Sequence, residues 1–160
     1  MMASAERIWD LISDFEGVWE NSNPAHCGTR VLSEPKRPIR DGLRWWQREK
    51  VGPVTGEFIA TVHDVVPDQR FRWTAEATYR LLGLPVKIAE GGEFLIEPQT
   101  AGCRVSHRVW GQLPGGRFGR CLEWILVHLF RQREAVAHHT QVELEYFKHR
   151  LERKNDMPPE

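Results

Sequence analysis

Residues 118–154 contain no proline and, after Gly119, no glycine, so nothing in them obviously interrupts a helix. Apolar residues recur at Leu122, Ile125, Leu126, Leu129, Val136, Leu144, Phe147 and Leu151. That is one apolar stripe at helical spacing. At about 1.5 Å per residue, an unbroken helix here would run roughly 55 Å. A folded chain of this length has a radius of gyration of only ~15 Å. The helix must therefore cross the whole domain, with its basic end (Lys148, Arg150, Arg153, Lys154) overhanging. Its stripe needs a partner, and residues 42–112 read mostly as strands. The simplest arrangement is a sheet curled around the helix.

The rest of the chain is punctuated clearly. Residues 1–4 are expected to fray. Ser4 can cap a helix over 5–13, with Glu6 in its first turn and Ile8, Trp9, Leu11 and Ile12 as its apolar set. A second short helical piece, 14–23, carries Phe15, Val18 and Trp19. It ends at Asn23-Pro24, because the residue before proline leaves the helical region. Strands are predicted at 27–34, 43–50, 57–66, 71–78, 86–97 and 104–111. Turns fall at Asp41-Gly42, Gly52-Pro53, Pro67-Asp68, 81–85 and 99–102. Gly91-Gly92 inside the fifth strand predicts a bulge or bend. Two short helices, about six antiparallel strands and then one long helix make an α+β domain spanning residues 1–160.

Composition removes several function classes. Lys+Arg and Asp+Glu stand at 22 each, which argues against a nucleic-acid binder that works by phosphate neutralisation. Three scattered cysteines, Cys27, Cys103 and Cys121, suggest no disulfide framework and point to a reducing cytoplasm. No apolar run approaches ~18 residues, so no membrane span is expected. No signal peptide is recognisable. Seven tryptophans supply large rings that can fill a core or wall a cavity for an apolar ligand.

Particular residues carry a resemblance. They are the run Ser4-Ala-Glu-Arg-Ile-Trp9-Asp-Leu-Ile-Ser-Asp14 with Trp19 five residues on, and Asp41-Gly42 before a strand. Asp64-Val-Val-Pro67 followed by Arg70-Phe71-Arg-Trp73, and Gly102 before the last strand, belong to the same ordered set. With these, nearly the whole chain resembles the START-like (SRPBCC) helix-grip superfamily, most closely its polyketide cyclase/dehydrase branch. The resemblance implies a curved antiparallel sheet of six or seven strands gripping the C-terminal helix. Between them it implies a cavity for a hydrophobic or aromatic small molecule. Family members usually begin with a strand before this first helix, and here three residues precede Ser4. A missing strand would leave a sheet edge open, where a second copy could pair to form a homodimer.

Period-two logic then assigns faces. Phe58, Ala60 and Val62 share one face of the third strand, and Phe71, Trp73, Ala75 and Ala77 one face of the fourth. Gly92, Phe94 and Ile96 follow on the fifth, and Val105, His107 and Val109 on the last. Trp45 and Trp46 must point opposite ways. The parity of Leu43 favours Trp45, Gln47 and Glu49 inward. Ligand-facing candidates are therefore Trp45, Phe58, Ala60, Val62, Phe71, Trp73, Ala75, Phe94 and Ile96, with Leu126, Leu129 and Phe130 from the helix. Small residues beside large rings fit an unfilled space, or equally a close helix contact.

Two polar residues stand out. His107, inward, could orient a ligand or act as acid or base, or could be a buried, hydrogen-bonded histidine. Arg133, within the helical stripe, could hold a carboxylate or polarise a carbonyl, or could lay its stem on the stripe with its head in water. His138-His139 with Glu134 or Glu143 has metal-like chemistry. No second cluster completes a site, so these residues read as a solvated helix face and no metal or other cofactor is expected. Gly115-Gly116-x-x-Gly119 reads as a connector at the cavity mouth. The resemblance implies a carrier of a lipid- or polyketide-like molecule or a polyketide cyclase/aromatase using His107 or Arg133, and a third reading is a protein-interaction module that docks through the basic helix end or an open sheet edge. Fold alone does not choose among them.

Overall fold

The computed structural model describes residues 1–51, 54–81 and 83–153. The expected turn at Gly52-Pro53, Leu82 of the predicted loop and Lys154 lie outside them. Helix α1 (Ala5–Ile12) is capped by Ser4, whose hydroxyl accepts the Arg7 backbone N–H at 3.3 Å. It buries Ile8, Trp9 and Ile12. A wide helical turn, Phe15–Trp19, and a tight one, Glu20–Ser22, follow.

Six strands come next: β1 (His26–Val31), β2 (Arg44–Val51), β3 (Val54–Val66), β4 (Arg70–Leu81), β5 (Leu84–Gln99) and β6 (Gly102–Gln112). Each pairs antiparallel with the next, giving a six-stranded meander in the order β1 to β6. Helices α2 (Gly116–Trp124) and α3 (Gln132–Arg153) follow the sheet. The first residues are docked, contrary to the expected fraying. The Met1 amino group donates to the Cys103 carbonyl at 2.8 Å, and the Cys103 N–H donates back to the Met1 carbonyl at 2.9 Å.

Strand parity settles the faces. Phe58, Ala60 and Val62 are buried, as are Phe71, Trp73, Ala75 and Ala77. Trp45, Gln47 and Glu49 are the inward set on β2. Gly91-Gly92 makes no bulge: its pairing with Thr74 and Trp73 runs on without a register shift. Gly92 instead seats a ring. A Cβ there would lie 2.5 Å from Nε1 of Trp73, its cross-strand partner. Gly56 does the same for Tyr79, whose ring a Cβ would meet at 2.2 Å. Two inward aromatic side chains can thus lie close to the sheet.

The long helix is the main correction. It is two helices, separated by a wide turn at Ile125–Leu129 and by Arg131, whose backbone is left-handed (φ 49°). No glycine or proline marks this break, and the apolar spacing runs straight through it. The break redirects the stripe: Leu122 and Leu126 stay buried, while Leu129 is 63 % exposed. On α3 the inward line is Val136, Thr140, Glu143, Phe147 and Leu151, only partly apolar.

The interior has two halves. At one end the N-terminal helices plug the curl. Phe71 and Phe94 stack at 5.6 Å, Trp19 meets Phe94 at 5.2 Å, and Phe94 meets Phe147 at 6.1 Å. Phe15 stacks on Trp45 at 4.7 Å. This end is solid. The other end is hollow.

Candidate functional site

The hollow end is a cavity of about 770 Å³ between the inner face of β2–β6 and helices α2 and α3. Rings form one wall: Phe58 and Trp73 stack nearly parallel at 5.7 Å, and Trp45 meets Trp73 edge-on at 5.7 Å. The rim carries Trp110, the segment 111–116, Arg120 and Arg133.

Of the residues predicted to face a ligand, the structure brings Trp45, Phe58, Trp73, His107, Leu126 and Arg133 to the cavity. Ala60, Val62, Phe71, Phe94 and Ile96 do not line it; they are fully buried in the solid end. Ala75 borders a separate shallow depression with Trp46 and Ile59. Phe130 packs against the core beside the helix break, and Leu129 points to solvent.

Beside the rings, on the same inner face of the sheet, lies a polar strip that the sequence reading largely missed. Glu49, Tyr79 and Glu90 reach the cavity from β2, β4 and β5. The Tyr79 hydroxyl lies 2.9 Å from Glu49 Oε1 and 2.8 Å from Glu90 Oε2. A phenol carries one proton, so one of the two carboxyls must supply the other. Burial, then the charge of Glu49, outweighs the Tyr79 hydrogen bond and pushes the Glu90 carboxyl up to about 8. Glu90 is thus the protonated partner, a neutral acid in a cavity. Burial, then the charge of Glu49, likewise pushes the Tyr79 phenol upward. Gln47 donates to Glu49 Oε2 at 3.1 Å and Trp45 Nε1 donates to Gln47 Oε1 at 3.3 Å, which fixes the strip to the ring wall.

This predicts an inverted pH dependence for one residue. Between the ordinary carboxylate value of 4.5 and about 8, folded Glu90 holds a proton that the unfolded chain lacks. Its contribution is fully present below 4.5 and falls as pH rises, by about 1.4 kcal/mol per pH unit, until it levels off above about 8. Urea unfolding of wild type and Glu90→Gln from pH 5 to 9 checks this. The wild type should lose ground to the variant as pH rises, and parallel curves would contradict it.

The second polar group centres on Glu143, 1 % exposed on α3. His107 on β6 approaches its Oε2 at 2.9 Å through Nδ1. His26 at the start of β1 and His139, one helical turn back, each place Nε2 3.0 Å from its Oε1. Burial works to raise the Glu143 carboxyl, but the hydrogen bonds from His107, His139 and His26 together hold it well below the usual range. For His139, burial lowers the imidazole, and the bond to Glu143 with the nearby carboxylate charges overturns that and raises it.

His139 and Glu143 are therefore not a solvated face, as their charges suggested. Glu134 is, paired with Arg131 in the open. His107 does hydrogen-bond a neighbour, yet its Nε2 is buried without a partner among the described residues. Strand parity extended from Gly92 back to Glu90, and from Ala77 on to Tyr79, would have found two of the missed residues. The i, i+4 line from Phe147 back to Glu143 and His139 would have found two more. His26 carries no comparable signal.

Compared by sequence, the chain matches no family model and no curated protein. Compared by fold, it matches a protein of Thermus thermophilus with a TM-score of 0.68 at 15% identity, over 94% of this chain and 90% of that one. It matches a conserved protein of Geobacillus kaustophilus with a TM-score of 0.59 at 12% identity, over 92% and 91%. It also matches the Zhui aromatase/cyclase of a Streptomyces species, with a TM-score of 0.59 at 14% identity, over 91% and 87%. The chain shares with these proteins a helix-grip α+β fold, a curved antiparallel sheet closed over by the C-terminal helical segment. Among the described residues no helix is long and apolar enough to cross a membrane.

Proposed function

We propose that the chain binds a hydrophobic or aromatic small molecule in the hollow end of its grip. The observation that carries this reading is the cavity itself. Its volume of about 770 Å³ is walled by the rings of Trp45, Phe58 and Trp73 and by a few hydrogen-bonded polar groups. Ring surface covered on binding contributes roughly 25 cal/mol per Å². Glu49, Glu90 and His107 would set the orientation of any oxygen the molecule carries.

A second reading, an enzyme that promotes cyclisation and water loss in a bound poly-ketone, is favoured by one specific feature. Glu90 is a neutral carboxylic acid near neutral pH, and His107 Nε2, without a partner among the described residues, is a base lining the same cavity. An acid and a base facing one enclosed substrate suit enolisation followed by loss of hydroxide as water. The neighbour named an aromatase/cyclase supports this reading only through its fold. Arg133 sits at the rim, where it would meet a carboxylate or phosphate end rather than the reacting carbons.

One pair of measurements separates the readings. Wild type should bind one environment-sensitive apolar dye per chain; no saturable binding sinks both. His107→Ala should bind dye as the wild type does. If the chain is a cyclase, that variant should lose on the order of 10²–10⁴-fold in turnover of a poly-ketone analogue. Full turnover removes His107 from the mechanism.

A further inference from the structure

The geometry points to a site for one divalent first-row transition ion, of the zinc class, held by His26 Nε2, His139 Nε2 and Glu143 Oε1. The inference does not depend on the cavity holding an apolar molecule.

The three atoms stand 3.0, 3.0 and 3.3 Å apart. Ligands ~2.1 Å from a metal are spaced about 3.0–3.4 Å from one another in octahedral or tetrahedral arrangements, so one ion can touch all three at once. The donor set, two imidazoles and one carboxylate, suits such ions. The side chains are enclosed: those of His26, His139 and Glu143 are 0 %, 13 % and 2 % exposed.

Proton counting favours an ion over hydrogen bonds alone. His26 Nδ1 lies 2.9 Å from the Trp19 carbonyl, which can only accept, so Nδ1 carries the proton of the neutral ring. Its Nε2 then presents a lone pair to Glu143 Oε1, itself an acceptor. A proton on His139 Nε2 would satisfy one edge of the triangle and leave lone pair facing lone pair along another. Putting a proton on both Nε2 atoms makes His26 a buried imidazolium, with His139 as the neutral Nε2–H tautomer, and turns two N–H groups toward each other across 3.3 Å. A single cation at the centre satisfies every edge.

The surroundings are those of a ligand set. The Trp19 carbonyl orients His26, and His107 occupies the second oxygen of Glu143, which leaves Oε1 for the centre. His26 and Glu49 are cross-strand partners on β1 and β2, and Glu49 Oε2 lies 4.0 Å from His139 Nε2. Glu49 could close the fourth position by a rotamer change. Otherwise that position belongs to water or a ligand donor, because His139 and Glu143 line the cavity.

The test is titration of the chelator-stripped, full-length chain with Zn²⁺ by calorimetry, and with Co²⁺ by visible absorption. One ion per chain is expected, with intense Co²⁺ d–d bands of low coordination number. His139→Ala should weaken Zn²⁺ binding by more than the ~10–100-fold that loss of an outer-sphere partner costs. His138→Ala, on the exposed side of the same helix, should change nothing. Circular dichroism shows whether His139→Ala is folded. If it is not, His26→Gln serves as the second variant, and the wild-type Co²⁺ spectrum reads the site without any variant. Absence of stoichiometric binding up to millimolar Zn²⁺ overturns the assignment and leaves a proton-sharing histidine cluster. So does binding that a folded His139→Ala or His26→Gln retains in full.

Discussion

Glu143→Ala should cost about 3–5 kcal/mol of stability, measured by urea unfolding with a chelator present so that no bound ion contributes. Glu143 is the one anion against which three imidazoles from different parts of the chain are held. His26 comes from the first strand and His107 from the last, the two edges of the sheet. Removing the carboxylate leaves His107 Nδ1 and the Nε2 atoms of His26 and His139 facing a vacated, buried site, and water cannot easily replace it in a group so enclosed. It also unfastens both sheet edges from α3, which is how the grip closes. Glu134→Ala, on the exposed side of the same helix, should stay within ~0.5 kcal/mol of wild type. A Glu143→Ala loss below about 1 kcal/mol would mean that the cluster is incidental to the fold.

Most of the architecture was legible because a sheet with one buried face writes itself in period two. Phe71, Trp73, Ala75 and Ala77 could be placed inward without knowing what they pack against. The adjacent Trp45 and Trp46 were settled by parity with Leu43, and Trp45 is the buried one. Parity says which way a side chain points but not what it meets. Phe71, Phe94 and Ile96 point inward onto the N-terminal helices, whereas Phe58 and Trp73 point inward onto empty space. The difference lies in how far the plug of residues 5–22 reaches along the groove, which no local pattern encodes.

The polar strip was hidden for another reason. Glu90, Glu143 and His139 carry charge, and charge on a strand or helix reads as solvent. Their partners lie far away in sequence: His107 is 36 residues from Glu143, and His26 is 113 from His139. The helix break was hidden because Arg131 takes a left-handed backbone that a glycine or asparagine would have advertised. Only the pairing of distant groups turns isolated charges into a site.

The account rests on one end of the grip being hollow. Val136 lies on the helix side of that space, so a larger side chain there must occupy part of it. The most direct measurement is titration of wild type and Val136→Trp with an apolar dye, with melting curves to show that both are folded. Keeping ~100 Å² of dye surface in water costs about 2.5 kcal/mol, roughly 60-fold in Kd. Wild type should bind one dye per chain, and Val136→Trp should bind it at least that much more weakly. Equal binding by the two folded proteins would place the dye elsewhere and contradict the account.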